Sequence, residues 1–423
     1  METVVTFAAV QTILTARCGT CHHAASGRTF LITMDSLALL KSGLVNPTDP
    51  GTSMLTQKPR SATAHGGGVV STLTAADIQS IEDWIGKQPQ LNLGTLVAKR
   101  IDASSTPQID GYANDGVWRV NNDGLVITIG GGWADARDVT LKAAYDAQYL
   151  YMLVRWIDDA ASVVRQPWEK QADGTWKTLS AKPRPVAGSD WSAYMGTSFE
   201  EEGPGFAYED KMALIWNTYG ASTVAGFDQT GCAVLCHDPA KNFGPGNTYN
   251  YDNENLAAKK YTNAANEIAD MWHWKLVRMN HHNKLDDQYV GFWQPGGANP
   301  ANGGRYTDAG AGGYANNPPT GGRPTYRGAK VDAPPYYILD QQKVALLDAE
   351  LAALPVGTRI PNMITSGPTG TRADVDARGE YNPANKTWTV EIRRKLVTGD
   401  TKDVQFDSLA REYAFGVSIF DNA

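Results

Sequence analysis

The placement of the cysteines is the feature that most constrains this chain. The sequence has 423 residues and 4 cysteines, and all four occur in two short stretches, CGTCH at 18–22 and CAVLCH at 232–237. In both stretches a histidine directly follows the second cysteine. Two thiols beside an imidazole can hold a metal or a metal-containing cofactor, and two thiols alone can form a disulfide. We therefore predict that these two stretches determine which metal, cofactor or disulfide the chain holds.

The first stretch has the C-x-x-C-H pattern of c-type haem attachment. Two thiols three residues apart on one helical turn can reach the two vinyl groups of one porphyrin, and the next imidazole then lies under the iron. A zinc site or a thioredoxin-like redox pair would also use two cysteines, but neither a second close ligand pair nor a βαβ pattern accompanies them. We predict that Cys18 and Cys21 bind haem c and that His22 is its proximal ligand.

The segment around this motif, residues 1–90, resembles the small monohaem cytochromes c. An attachment site, a loop and a terminal helix with Trp84 follow one another in the order of that family. The resemblance implies a distal ligand on the loop before the terminal helix, where His65 stands in AHGGG. We favour His65, and Met54 is the alternative because methionine is the commonest distal ligand in the family. An imidazole would give the iron a lower reduction potential than a methionine.

The second stretch has one residue more between its cysteines than the usual attachment motif. The repeated adjacency of cysteine and histidine, in a chain with only 7 histidines, favours a second haem. Cys232 and Cys236 would attach it and His237 would be its proximal ligand. A disulfide between Cys232 and Cys236 is the alternative.

The pattern of apolar residues predicts two domains of different type. Helical spacing at 4–16, 34–43 and 74–87, with a long loop at 51–68, indicates a small all-α domain over 1–92. From 93 to 423, repeated short alternating strands with turn signals indicate a β-sandwich. The predicted fold class is therefore α+β multidomain, a cytochrome c domain followed by a sandwich with long loop insertions.

Specific elements of the second domain can be placed. Two strands joined by a turn at Asp146 and Ala147 are predicted in DVTLKAAYDAQYLYMLVRWIDD, and further strands in KMALIWNTYG, TWTVEIRRKL and EYAFGVSIFD. A helix is expected at 340–354. The Gly-, Pro- and Asn-rich segment 292–335 is expected either to be a solvated excursion or to wrap a partner or shield a cofactor.

The second domain also carries a resemblance. TPQIDGYANDGVW, YEDKMALIW, MWHWKLVR and WTVEIRRKL before FGVSIFDN resemble, in this order, the haem-binding domain of the ethylbenzene dehydrogenase γ-subunit type. That domain is a β-sandwich that holds one haem and passes single electrons, and it also serves related molybdenum enzymes. Its enzyme-subunit members hold haem non-covalently through methionine and lysine. The CAVLCH stretch departs from that pattern and implies covalent attachment here.

The distal ligand of the second haem is less constrained. Our choice is His273, in DMWHWK, where strand alternation places it on one face with Lys275 and the two tryptophans on the other. The alternatives are Lys275, His281, His282 or a residue beyond Ala423. The second haem itself could be haem b or absent.

These features predict a dihaem c-type cytochrome that transfers single electrons between an extracytoplasmic redox enzyme or cytochrome and another carrier. Expected partners are a redox protein or an oxidoreductase complex, and assembly into a homo-oligomer or filament is also considered. One alternative is a peroxidase or reductase with one open haem, which would need acid–base residues near the open face. Another is a sugar-binding sandwich that carries a single cytochrome c domain.

Charge and hydropathy exclude other classes. The net charge is −7 and the sequence pI is about 5.6, and basic runs are lacking, so nucleic acid is not an expected partner. No stretch approaches the ~18 apolar residues of a membrane span. Because thioether attachment of haem takes place outside the cytoplasm, a periplasmic or extracellular location is expected. The N-terminus lacks a secretory pattern, so we expect a leader already removed, and residues are expected beyond Ala423.

Overall fold

The computed structural model describes these parts of the chain: 7–22, 39, 44–45, 50–60, 69–86, 94–120, 124–129, 137–179, 208–235, 261–262, 264–292, 304–328 and 336–420. The chain divides into two compact units, residues 1–94 with 127–138 and residues 95–126 with 139–423. Within these described ranges, the helices are too short or too polar to cross a lipid bilayer.

The α-helices are short, and strands dominate the second unit. The α-helices are α1 (Phe7–Cys18), α2 (Met54–Gln57), α3 (Ala75–Gly86), α4 (Gly116–Val120), α5 (Phe227–Thr230) and α6 (Asp348–Ala353). The 3-10 turns are Pro50–Thr52, Lys58–Arg60, Ala103–Ser105, Gly220–Ser222, Gly231–Leu235, Asn280–His282, Asp340–Gln342 and Thr371–Ala373.

The strands follow in chain order. The first nine are β1 (Ala98–Arg100), β2 (Leu125–Ile129), β3 (Arg137–Tyr145), β4 (Tyr149–Ile157), β5 (Trp168–Lys170), β6 (Trp176–Thr178), β7 (Lys211–Asn217), β8 (Ala269–Lys275) and β9 (Asp286–Val290). The next six are β10 (Arg305–Thr307), β11 (Gly313–Asn316), β12 (Pro319–Thr320), β13 (Arg323–Pro324), β14 (Tyr326–Arg327) and β15 (Ile338–Leu339). The last six are β16 (Val344–Ala345), β17 (Arg359–Ile360), β18 (Met363–Ser366), β19 (Val375–Asn382), β20 (Thr387–Lys395) and β21 (Phe415–Phe420).

In the N-terminal unit, α1 and α3 share an apolar core. Val10 and Leu14 of α1 are buried in one cluster with Ile81, Trp84 and Ile85 of α3. The predicted start of the last helix is confirmed, because the Oγ1 of Thr74 accepts a hydrogen bond from the backbone N–H of Asp77 and the Asp77 carboxylate accepts one from the N–H of Thr74. The core thereby fixes the end of α1, where the first cysteine stands.

Two predictions for this unit need correction or stay outside the described residues. The segment 51–68 is not only a loop, since α2 and two 3-10 turns occupy residues 50–60. The predicted helix at 34–43 lies outside the described residues except for Leu39, which is a helical, fully buried core residue.

The second unit contains two principal sheets. The first sheet runs in the order β1–β3–β4–β20–β19, and the second sheet in the order β10–β9–β8–β7–β21. The predicted hairpin of β3 and β4 is confirmed, with the Asp146 carboxylate accepting hydrogen bonds from the N–H groups of Gln148 and Tyr149 in the turn. The strands predicted in KMALIWNTYG, TWTVEIRRKL and EYAFGVSIFD are confirmed as β7, β20 and β21.

Tryptophans fill the space between the two sheets. The ring of Trp274 lies 5.2 Å from that of Trp388 and 6.1 Å from that of Trp156, measured between centroids. A Cβ at Gly379 would lie 2.4 Å from Trp274, so only glycine lets these strands approach so closely. The β-rich character predicted for this half is confirmed. One face of the second sheet is buried against the first sheet.

One predicted feature of the second unit is wrong, and in another the structure adds strands that neither alternative predicted. The helix expected at 340–354 is interrupted, because Val344 and Ala345 pair with β14 and only Asp348–Ala353 is helical. The segment 292–335 is not simply a solvated excursion, because its described part contributes β10 to the second sheet and β11 to a sheet with β18. Backbone pairing with distant strands, rather than side-chain hydrophobicity, orders this polar segment.

Candidate haem sites

The C-x-x-C-H motif begins at Cys18, the last residue of α1, and its other residues form a turn after the helix. The backbone N–H groups of Cys21 and His22 donate to the carbonyl of Cys18 at 3.2 and 3.0 Å. Cys18 is buried, whereas Cys21 is exposed. This turn brings two thiols and an imidazole to one side of the same cavity.

The cavity holds about 300 Å³ and is lined by both apolar and polar side chains. Its walls include Cys18, Cys21 and His22, and beside them Met54, Val69 and Val70. Burial, and then the neighbouring Cys21, raises the pKa of the Cys18 thiol. The protein therefore presents a neutral, protonated thiol at this position.

The two sequence candidates for the sixth ligand differ in what the structure describes. Met54 begins α2 and lines the cavity, with 40 % of its surface exposed. His65 and the following glycines lie outside the described residues. The structure thus brings Met54 together with the attachment motif, and His65 stays a prediction.

The second cysteine stretch begins on a loop that covers one face of the second sheet. We call this face the outer face; it carries Ile215 of β7 with Ala269 and Met271 of β8, which pack against α5 and the following 3-10 turn through Phe227 and Leu235. Cys232 packs against the same apolar cluster. A Cβ at Gly416 of β21 would lie 2.3 Å from the Sγ of Cys232, so the thiol rests on a glycine of this face.

His273 occupies the outer face two positions beyond Met271. It is 5 % exposed, its Nδ1 lies 3.1 Å from the Oε1 of Gln288, and its ring lies 5.9 Å from that of Phe420. Its Nε2 is buried and has no hydrogen-bond partner among the described residues. Burial, and then the charge of Lys275, lowers the pKa of His273 well below the ordinary value, so the imidazole is neutral and one nitrogen is available as a ligand.

The lysine alternative on this strand is already engaged. Lys275 donates to the Asp286 carboxylate and, at 2.8 Å, to the hydroxyl of Tyr314. Burial opposes ionisation of Asp286, but Lys275 and then Arg372 lower the pKa of its carboxyl to about 2. Lys275 therefore belongs to a buried ion-pair network.

Sequence reasoning missed Lys211, which pairs directly with Lys275 across β7 and β8. Its ammonium lies 4.4 Å from the centroid of Tyr208 and 4.9 Å from that of Phe420. Burial, and then the charge of Arg278, lowers the pKa of Lys211 well below its usual value. The signal in the sequence was a lysine directly before the apolar run MALIW, which the strand pattern could not place inside the protein.

His281 and His282 lie in the 3-10 turn after β8. The Nε2 of His281 lies 2.8 Å from the Oγ1 of Thr365, and its ring stacks on Tyr337 at 3.6 Å. The two imidazole rings are 4.0 Å apart. These contacts give His281 a packing role.

The structure therefore brings some of the predicted site residues together, and others lie outside the described residues. Cys18, Cys21 and His22 share one cavity, and Cys232 and His273 share the outer face. Cys236 and His237 lie outside the described residues, so covalent attachment and the disulfide both stay sequence predictions at that site.

The geometry defines a β-rich unit with a covered sheet face that bears a neutral histidine. The sequence model of the family described as ethylbenzene dehydrogenase matches residues 117–423, and the chain belongs to this family. The family predicted for the second half is confirmed, and membership indicates a redox-related role. Its assignment to the haem-binding γ-subunit type stays a prediction. The match begins after the CGTCH motif and does not include residues 1–116. Among curated proteins, none matches the chain.

Proposed function

We propose that the chain is a dihaem c-type cytochrome that transfers single electrons between an extracytoplasmic redox enzyme or cytochrome and another carrier. The observation that carries the proposal is the cavity of the N-terminal unit. Cys18, Cys21 and His22 converge on a space of about 300 Å³ that Met54 also lines. A pair of thiols, an imidazole and a thioether around one cavity are the donor set of a covalently attached, six-coordinate haem.

In the N-terminal unit each residue has a distinct role. Cys18 and Cys21 would hold the haem through two thioether bonds, and His22 would supply an imidazole ligand to its iron. Met54 is the sixth ligand that the cavity supports, while His65 is the ligand that the sequence favours. The choice sets the potential, because methionine raises it relative to histidine.

The second haem is proposed on the outer face of the second sheet. Cys232 with Cys236 would attach it, and His237 would be the proximal ligand. His273 fits the distal role, because its Nε2 is buried, unprotonated when Nδ1 carries the proton, and unpartnered among the described residues. The apolar cluster of Ile215, Met271 and Leu235 would exclude water from this haem.

Haem iron supplies a one-electron couple, and protein ligands on both sides leave no position for a substrate. The chain's own residues then only hold each iron and set its potential and its solvent exposure. Such a protein needs a redox partner, and an oxidoreductase complex fits the family to which the chain belongs. Thioether attachment places the protein in the periplasm or outside the cell.

The test is the intact mass of the denatured protein after expression in a host that attaches c-type haem. The wild type is expected to carry the mass of two haems. The double variant Cys18→Ala/Cys21→Ala is expected to lose one, and Cys232→Ala/Cys236→Ala is expected to lose the other. A wild-type mass without haem would refute the proposal. A mass with one haem that survives only when Cys18 and Cys21 are present would restrict the proposal to the N-terminal unit.

A further inference from the structure

We infer that Asp270, Asp287 and Asp403 form a site for a hard divalent cation, with Ca²⁺ as the best match. Asp270 lies on β8, Asp287 on β9, and Asp403 in the loop between β20 and β21. One carboxylate oxygen from each lies within 4.8 Å of the others. All three residues are buried, with 0, 0 and 3 % exposure.

Each of these three carboxylates has at least one buried oxygen without a hydrogen-bond partner among the described residues. Asp270 accepts with Oδ2 from the indole N–H of Trp272 at 3.1 Å and from the backbone N–H of Val404 at 3.0 Å, and its Oδ1 has no partner among the described residues. Asp403 likewise has an unpartnered Oδ1, while its Oδ2 accepts from Thr398. In this part of the structure neither oxygen of Asp287 has a partner. Buried polar atoms left without partners are rare in proteins, and a ligand is one explanation.

The net charge of these side chains also favours a bound cation. Arg394 is fully buried and lies 2.9 Å from Asp403 and 3.6 Å from Asp270. Three ionised carboxylates and one guanidinium leave two negative charges, which a divalent cation would neutralise. Uncompensated buried charge is strongly unfavourable. The competing arrangement is that carboxyls keep their protons, and burial, opposed by Arg394, does raise the pKa of Asp270 to about 8.

The donor set selects the kind of metal. The three ligand atoms are carboxylate oxygens, which suit Ca²⁺, Mg²⁺ or Mn²⁺ rather than metals that prefer nitrogen or sulfur. Ca²⁺ binds about six to eight oxygens and accommodates several carboxylates in flexible geometry, whereas Mg²⁺ usually keeps several waters and is bound through one or two carboxylates. Asp308 and Asp400 form a second group with Asp403 on the same scale, and Asp400 is half-buried. These additional carboxylates would attract the cation and offer a path from solvent.

The site would join parts of the chain that are distant in sequence. Asp270 and Asp287 belong to the central strands of the second sheet, and Asp403 belongs to the loop that leads to β21. The backbone of Val404 also donates to Asp270 and accepts from Arg394. A bound cation would therefore stabilise the closure of the second sheet by its last strand.

The test uses the full-length protein after gel filtration in metal-free buffer. Calcium is measured by inductively coupled plasma mass spectrometry and normalised to sulfur, since the chain has 4 cysteines and 9 methionines. Iron in the same sample counts haem, so failure of the haem proposal and failure of the calcium proposal give different results. One calcium per chain is expected, and chelator treatment should lower the melting temperature until millimolar Ca²⁺ restores it.

The variant Asp287→Asn should lose the calcium and the Ca²⁺-dependent melting shift, with affinity weakened by more than the roughly tenfold that loss of an outer-shell partner costs. The matched control is Asp407→Asn, because Asp407 is exposed and pairs only with nearby groups such as Arg411. Asp403→Asn is a second variant if Asp287→Asn does not fold. Calcium well below one-tenth per chain, with no shift on adding Ca²⁺, Mg²⁺ or Mn²⁺ to the wild type, would overturn the inference. Retention of calcium by both variants would also overturn it.

Discussion

The Oε1 of Gln288 lies 3.1 Å from the Nδ1 of His273, and the amide nitrogen of Gln288 donates to the Oγ1 of Thr307 at 3.3 Å. The amide nitrogen faces Thr307 and the amide oxygen faces His273, so Oε1 accepts a hydrogen bond from Nδ1 when that nitrogen carries the ring proton. The imidazole is neutral, so its Nε2 carries the lone pair. Gln288 thus fixes the tautomer that a metal ligand requires.

The first prediction follows from this contact. Gln288→Leu removes the acceptor, makes the imidazole of His273 a weaker donor to iron, and should raise the reduction potential of one haem. Gln288→Glu offers a stronger acceptor and should lower the same potential. Spectroelectrochemical titration measures both haems separately. If both variants keep the wild-type potentials, His273 is not a ligand of the iron.

The second prediction concerns the haem proposed for the N-terminal unit. If Met54 is the sixth ligand, Met54→Leu should remove the weak long-wavelength band that an iron–thioether bond gives the ferric protein, and should lower the potential of that haem. Absorption spectra and redox titration measure the two effects. His65→Leu in the same background is the comparison. If His65→Leu disturbs the haem spectrum and Met54→Leu does not, the ligand favoured by the sequence is correct.

The third prediction concerns Gly416. Its replacement by alanine would place a Cβ at 2.3 Å from the Sγ of Cys232, so the loop must move. We expect Gly416→Ala to destabilise the protein by about 1–3 kcal/mol and to lower the haem content of the second site. Denaturant unfolding and intact mass report the two effects. Gly116→Ala is the control, because a Cβ there would meet nothing within 4 Å. Equal stability of the two variants would contradict the contact.

The fourth prediction concerns pH. Burial, and then the neighbouring His282, lowers the pKa of His281 from 6.5 to about 3. The unfolded chain therefore binds more protons at this position between these values, and stability must fall as the pH falls from 6.5 towards 3. The slope from this group approaches at most about 1.4 kcal/mol per pH unit. In His281→Gln the dependence of the unfolding free energy on pH should be shallower. His282→Gln should have a smaller effect on the contribution of His281, because burial is the larger cause of its shift. An unchanged slope in His281→Gln would show that this group titrates normally.

The sequence predicted those elements whose signals are local. Thr74 and Asp77 indicate the start of α3, and Asp146 indicates the turn between β3 and β4. The helix predicted at 340–354 failed because Val344 and Ala345 pair with Tyr326 and Arg327 of another strand. Such pairing depends on a partner that the local pattern does not contain.

The candidate sites show the same division. The spacing of Cys18, Cys21 and His22 predicted that these three residues act together, and they line one cavity. The alternation of β8 placed His273 correctly on the face opposite its tryptophans. The burial of Asp287 could not be predicted, because DDQYV resembles a polar surface strand. In the fold, the carboxylate of Asp287 lies within 4.8 Å of that of Asp403, which is more than one hundred residues away in the sequence.

One consequence follows from the pairing of β7 with β8. Seven consecutive positions, from Lys211 with Lys275 to Asn217 with Ala269, hold these two central strands in register on their own. The whole excursion of residues 218–268, which bears the second pair of cysteines, departs from one strand end and returns to its neighbour. Exchange of the loop between these two strand ends would therefore leave the pairing of the central strands unchanged, which makes this strand pair a suitable point for grafting other loops.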